Sequence, residues 1–427
     1  MTCSRPFIRP TFFLALLLPL LAGIAISCSP VRHIMMTASL GGHGPAAEPP
    51  LPGLTGALSD WRAARPGVHA ILTEQLYGTE PPTARVDVLD RQIIDPVAYN
   101  GAGRLELVEL ELELESGGSG RMTLGLILPN VPDGQAPVIL IPGECGLPTQ
   151  LQRTDLPPPR GRRAEYCDPG DGMISNLVGR FFGDFVVSPP VEQILRRGYA
   201  IAAWHESDMA PDSASLHAAS LRALNLNPEA ANRPGVIALW AWMMSRVIDH
   251  VLTDSRFDPD RIVVMGHSRR AKAVLLAAAR DPRIDAVLSH QSGTGGASLH
   301  RDRIGEPIAL ITDRYPHWFV PGYADYVDNE GALPFDAHYL LALTAPRNVL
   351  LGNARRDVWS DPAGAWRAAQ AASPVWALYG VDGLNQTQLD RMDTSGALAF
   401  HIRPATHGVR DVDWKAFLTF LDARLAL

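Results

Sequence analysis

From residue 137 onward the chain repeats one pattern, a short apolar run followed by a longer stretch with helical spacing. The runs are Pro137 to Ile141, Tyr199 to Trp204, Arg261 to Met265, Asp285 to Ser289, Asn348 to Leu351 and Ala399 to Ile402. Strands this continuously apolar are buried on both faces, so with helices between them they predict a mainly parallel sheet inside a three-layer α/β sandwich. Upstream the period shortens to two. Leu105 to Leu114 alternates Leu or Val with Glu, and Met122 to Leu128 follows after Gly117-Gly118-Ser119-Gly120, which predicts an N-terminal antiparallel hairpin with a solvated acidic face. Val236 to Leu252 carries Trp240, Met243, Met244, Val247 and Val251 at helical spacing, the mark of a core-facing helix rather than a cofactor box.

The N-terminus reads differently. Arg5 and Arg9 precede an apolar run from Phe12 to Ile26, shorter than a comfortable bilayer span and placed where an export signal belongs. It closes in Ala25-Ile26-Ser27-Cys28, which resembles a bacterial lipoprotein box with Ala where a larger aliphatic is usual. Residues 1–28 therefore read as a signal peptide, with Cys28 the candidate for lipidation and membrane anchoring in a bacterial periplasm. Ordinary cleavage beside an incidental cysteine is the other reading. Residues 29–57, rich in Gly, Pro and Ala from Ala38 to Pro52, read as a flexible tether, and 58–427 as one folded catalytic domain.

Composition narrows the partners. With 427 residues, 46% of them hydrophobic, the chain can bury a large core, and a formal charge of -7 without a Lys/Arg stripe argues against nucleic acid. Cys145 and Cys167 are the cysteines left in the mature body, and an oxidising compartment permits either one disulfide or two buried thiols. No H-E-x-x-H, Cys/His ligand spacing, G-x-G-x-x-G or Walker loop is present, so neither metal nor cofactor is expected. The expected state is a monomer.

Candidate chemistry centres on Gly266-His267-Ser268. A strand from Arg261 to Met265 precedes this tight turn and a helix from Arg269 to Arg280 follows, the context that exposes a nucleophilic serine at a sheet edge and aims helix N–H groups at a developing oxyanion. Arg270 stands where G-x-S-x-G has its last Gly. A serine hydroxyl needs a base, and His407 lies in the last strand-to-helix loop, whereas His290, His317, His338 and His401 sit in strands or too early. Asp357, just past the Asn348 to Leu351 strand, supplies the acid, while Asp361 before Pro362 reads as a helix N-cap. The order Ser268, Asp357, His407 is that of the α/β-hydrolases.

With these residues in place, the segment from about Gly235 to Asp411 resembles the bacterial glucuronoyl esterases, carbohydrate esterase family 15. The likeness is carried by Gly266-His267-Ser268-Arg269 with Lys272, Gln291-Ser292-Gly293 with Gly295-Gly296-Ala297, and Tyr315-Pro316-His317-Trp318-Phe319. It continues through Leu333-Pro334-Phe335-Asp336-Ala337-His338, Ala345-Pro346-Arg347, Asp357-Val358-Trp359-Ser360-Asp361-Pro362, and His401-Ile402-Arg403-Pro404 leading to His407. The resemblance implies cleavage of 4-O-methyl-glucuronic acid esters, the links between glucuronoxylan and lignin alcohols. By position it implies Ser268 as nucleophile, His407 as base, the Arg269 guanidinium at the oxyanion, Lys272 on sugar hydroxyls and Trp359 packed on the sugar. Trp318 reads as structural.

The pattern departs in two places. Many members carry a catalytic Glu where this chain has Gln291, and an amide cannot supply the charge that stabilises an imidazolium, so Asp357 takes that role and Gln291 becomes a polar substrate contact. Ala271 replaces a Gly. Two other readings follow: the same triad acting on another carbohydrate ester such as acetyl xylan, and a carbohydrate-binding lipoprotein that has lost catalysis.

Overall fold

The computed structural model describes residues 49–130, 135–161, 167 and 185–425. The signal, Cys28 and the tether as far as residue 48 fall outside them. Nine strands form one sheet in the order β1-β2-β3-β5-β4-β6-β7-β8-β9. The first three, β1 (Ala84–Val97), β2 (Gly103–Leu114) and β3 (Ser119–Pro129), are antiparallel. β3 then pairs antiparallel with β5 (Ala200–His205). From there β4 (Ala136–Gly143), β6 (Phe257–His267), β7 (Ala286–His290), β8 (Asn348–Ala354) and β9 (Leu398–Arg403) continue in parallel. The expected hairpin and all six expected parallel strands are present.

Alternation along the strands builds the three layers. Ile262 and Val264 of β6 face one core together with α2 (Val236–Val251), α3 (Arg269–Arg280), α4 (Ala337–Thr344) and α5 (Pro362–Ala372), joined by Trp61 of α1 (Leu58–Leu72). Val263 and Met265 face the opposite core, where Trp414, Phe417 and Leu421 of α6 (Asp411–Leu425) pack. Apolar area buried on both faces, at about 25 cal/mol per Å², is the main force fixing the parallel strands. α2 is buried nearly all round, and its two indoles are satisfied, Trp240 by Ala210 O at 2.8 Å and Trp242 by Pro82 O at 3.0 Å. Among the described residues no helix is long and apolar enough to cross a membrane.

Two features differ from the sequence reading. β1, which the alternation did not reveal, is an edge strand with Val88, Ile93 and Val97 exposed among Asp87, Asp90, Arg91 and Asp95, and charge on an edge discourages pairing with another chain. The acidic face of β2 is solvated only in part. Glu106 is buried because Arg91, Arg104 and Arg256 converge on it at 3.0, 2.8 and 2.7 Å, a compensation that spacing along β2 does not show.

Cys145 and Cys167 are joined as a disulfide, with Cα atoms 5.1 Å apart and a separation of 22 in sequence. The bond ties Cys167 to the segment that follows β4. Closing a loop of that length restricts the unfolded chain by about 3 kcal/mol. Urea unfolding with and without reductant should therefore give midpoints separated by a stability difference of that order. Coincident curves would show that the bond carries no stability.

Candidate active site

The serine sits in a backbone conformation that only a tight turn imposes. Between β6 and α3, Ser268 has φ 58° and ψ -125°, a left-handed conformation that costs a non-glycine residue of the order of 1–3 kcal/mol. Neighbouring backbone holds it there. Its N–H donates to His290 O at 2.8 Å, and its carbonyl accepts from Ala271 N at 3.0 Å. The turn is so close that a Cβ on Gly266 would stand 2.4 Å from Arg270 O. The glycine this elbow requires is therefore the one before the serine.

Arg270 has its own explanation. Its side chain turns inward, with Nε 2.7 Å from Glu206 Oε2, Nη1 2.8 Å from Glu144 Oε2, and the guanidinium carbon 5.7 Å from the Trp240 ring centroid. The residue that departs from G-x-S-x-G thus fastens the elbow to the ends of β4 and β5. Two carboxylates meet one guanidinium, and burial, with the Glu144 charge adding to it and Arg270 opposing, pushes the Glu206 carboxyl up to about 7.

The acid and base come from the loops after β8 and β9. His407 Nδ1 lies 2.7 Å from Asp357 Oδ2, and Asp357 is buried while the imidazole is partly open. The Ser360 hydroxyl also donates to Asp357. Burial drives the Asp357 carboxyl upward, but the His407 charge and these hydrogen bonds outweigh it and hold the group below its ordinary value. The His407 ring packs at a 40° tilt against His267, the residue before the serine, with centroids 4.6 Å apart. Acid, base and elbow therefore meet at one end of the parallel sheet. Asp361 caps α5 as expected, accepting from Gly364 N at 2.9 Å. The other candidate histidines are tied elsewhere: His290 to Gly408 O, His317 to Asp212, His338 to Pro49 O and His401 to Asp413.

The other expected site residues surround this group. Lys272 is buried one turn into α3, its ammonium donating to Ser292 O and, at 2.6 Å, to Thr294 O. Burial brings it down to about 8, with the nearby Glu306 carboxylate opposing. Trp359 is half-buried in the β8 loop, with the Arg314 guanidinium 5.9 Å over its ring. Gln291 spends both ends of its amide on the chain, Nε2 toward Thr406 O at 3.4 Å and Oε1 accepting from Gly408 N at 2.9 Å, so it brackets His407. Sequence reasoning missed the buried Glu206 and the half-buried Asp212 and Glu306, because nothing in their local sequence marks a carboxylate that long-range packing will cover.

A strained serine between strand and helix, with an Asp-held imidazole from the last strand-to-helix loop, defines the α/β-hydrolase class. Within that class the comparisons point one way. Residues 186–380 match the family model described as glucuronyl esterase, fungi. The carbohydrate esterase MZ0003 of an unknown prokaryotic organism is 36% identical over 238 residues, 54% of this chain and 55% of that protein. The 4-O-methyl-glucuronoyl methylesterase 1 of Phanerochaete chrysosporium is 31% identical over 195 residues, 43% of this chain and 41% of that one. The chain thus spans about half the length of the curated relatives it matches. In structure, the glucuronoyl esterase from Solibacter usitatus superposes with a TM-score of 0.74 at 29% identity, covering 88% of this chain and 98% of that one. A promiscuous esterase of carbohydrate esterase family 15 from a marine bacterial metagenome gives 0.76 at 27%, covering 90% and 100%. In sequence and in structure the chain is similar to the glucuronoyl esterases of that family, as its motifs implied.

Two outcomes are expected from this geometry. In Gln291→Glu the new carboxylate faces the Thr406 carbonyl where an N–H stood and adds charge beside Asp357. Turnover should not rise, and stability at neutral pH should fall by about 1–3 kcal/mol in urea melts. A gain in turnover would show that this position lacks an acid. Glu206 ionises in the unfolded chain near its ordinary 4.5 but in the fold only at about 7, so it lowers stability as pH rises through that window. The stability of Glu206→Gln relative to the native protein should climb between pH 4.5 and 7, and a flat difference would refute the assignment.

Proposed function

We propose that this protein is a serine carboxylesterase for esters of (4-O-methyl-)glucuronic acid, the ester links between glucuronoxylan and lignin. The observation that carries the reading is the Asp357–His407 pair beside the left-handed turn at Ser268. In this mechanism Ser268 Oγ attacks the ester carbonyl while His407 Nε2 takes its proton. Asp357 stabilises the imidazolium, and the Arg269 guanidinium with the N–H groups at the start of α3 meets the oxyanion. The alcohol leaves with the proton from His407, and a water activated by the same imidazole hydrolyses the glucuronoyl-enzyme. Lys272 and Trp359 face the sugar. The reading includes export through the N-terminal signal, anchoring through Cys28, and one catalytic domain from residue 58, acting as a monomer.

The promiscuity stated for the marine metagenomic relative favours a second reading, in which the same triad also accepts simple esters such as acetates. Hydrolysis of benzyl glucuronate should proceed in the native protein and fall about 10⁴-fold in Ser268→Ala and in Asp357→Asn, each checked for folding. Equal or faster turnover of an aryl acetate would move the substrate class to the second reading. Failure of a fluorophosphonate to label Ser268 would leave a binding protein instead.

A further inference from the structure

The aromatic segment from Tyr315 to Trp318 takes no part in the mechanism above, yet it meets the proposed oxyanion residue through one carboxylate. Asp212, in the loop after β5, accepts from His317 Nε2 at 2.7 Å and from Trp318 Nε1 at 2.7 Å on Oδ1. Its other oxygen, Oδ2, accepts from the Arg269 guanidinium. Burial drives the Asp212 carboxyl upward, but the His317 bond, the Arg269 charge and the Trp318 bond outweigh it and keep the group well below the ordinary range. On the other side the Tyr315 and Trp318 rings stack at 3.9 Å, and the guanidinium carbon of Arg269 lies 5.2 and 5.0 Å from their centroids. The aromatic segment is itself pinned to the start of α2, because Val236 N donates to His317 O and a Cβ on Gly235 would stand 2.0 Å from Trp318 O.

We propose that Asp212 is a positioning residue, which with Tyr315 and Trp318 holds the Arg269 guanidinium in the single orientation that serves the oxyanion. An arginine on the first turn of a helix has a long flexible stem, and its planar fork is useful only when aimed. Asp212 engages one edge of that fork and the ring pair lies against it, so the remaining N–H groups are directed rather than searching. Oxyanion stabilisation depends on such donors being in place before charge develops.

This rests on the proposed role of Arg269, and the test separates the two. The readout is the rate at which a fluorophosphonate labels the full-length protein. In that reaction Ser268 Oγ bonds to phosphorus, fluoride leaves and the serine proton passes to His407, whatever the preferred ester. Benzyl glucuronate turnover is measured beside it. Asp212→Asn keeps the shape and an acceptor for His317 and Trp318 but loses the charge, and it should slow labelling about 10–100-fold with KM for the ester little changed. Arg269→Ala should slow labelling at least as much, and the double variant should equal Arg269→Ala alone. If Asp212→Asn does not fold, Trp318→Phe removes one anchor of the carboxylate and should give a smaller loss that again disappears in the Arg269→Ala background.

Equal losses in both backgrounds, or none, overturn the positioning role. Unchanged labelling in Arg269→Ala overturns the oxyanion role and this inference with it. Labelling that follows the expected pattern without turnover of the glucuronate ester would sink only the substrate class.

Discussion

The left-handed turn at Ser268 is the constraint to which the surrounding structure answers. A serine does not hold φ 58° unaided, so its neighbours must over-determine it. β7 supplies the His290 carbonyl for the serine N–H, Gly266 leaves room for the helix backbone to cross, and Arg270 fastens the start of α3 to Glu206 and Glu144 at the ends of neighbouring strands. The strain is carried by strands that are buried on both faces and can yield little. What results is a hydroxyl lifted out of the sheet edge at the place where the loops after β8 and β9 bring the acid and the imidazole.

Gln291 shows how the site accommodates an amide at the end of β7. The imidazole has its carboxylate from β8, so a second negative charge at β7 is not needed for the proposed chemistry. An amide offers one donor and one acceptor, and the backbone around His407 presents one of each, the Thr406 carbonyl and the Gly408 N–H. The side chain therefore acts on the base loop rather than on the proton.

Most of the fold was legible because its signals are local. Unbroken apolar runs marked the six parallel strands, alternation marked the hairpin, Asp361-Pro362 marked a cap, and the strand-turn-helix pattern around Ser268 placed Asp357 and His407 by their loops. What escaped depends on contacts far apart in sequence. β1 has no clean period because one edge strand with charged and apolar residues intermixed serves neither face consistently. Glu106 looked solvated because two of its three arginines lie in other strands or loops. Arg270 looked like a defect in a motif, and only Glu206, 64 residues away, turns it into a brace.

The start of α3 presents an electrostatic problem whose solution bears on the reaction. Arg269, Arg270 and Lys272 place three cations at a helix N-terminus, the end that already repels positive charge, at a cost of about 0.3–1 kcal/mol each when exposed and more when buried. Each is offset by its own acceptor: Asp212 for Arg269, Glu206 with Glu144 for Arg270, and the Ser292 and Thr294 carbonyls for Lys272. The three sets of acceptors differ in kind. Carboxylates neutralise the two arginines, whereas neutral carbonyls only solvate the lysine, so burial lowers the lysine to about 8 while the Asp212 charge raises Arg269 against its own burial. The donors left over are the helix N–H groups, the Lys272 ammonium and the N–H groups of Arg269 that Asp212 does not engage. These donors are fixed by packing before any substrate arrives, which is what the proposed oxyanion stabilisation requires.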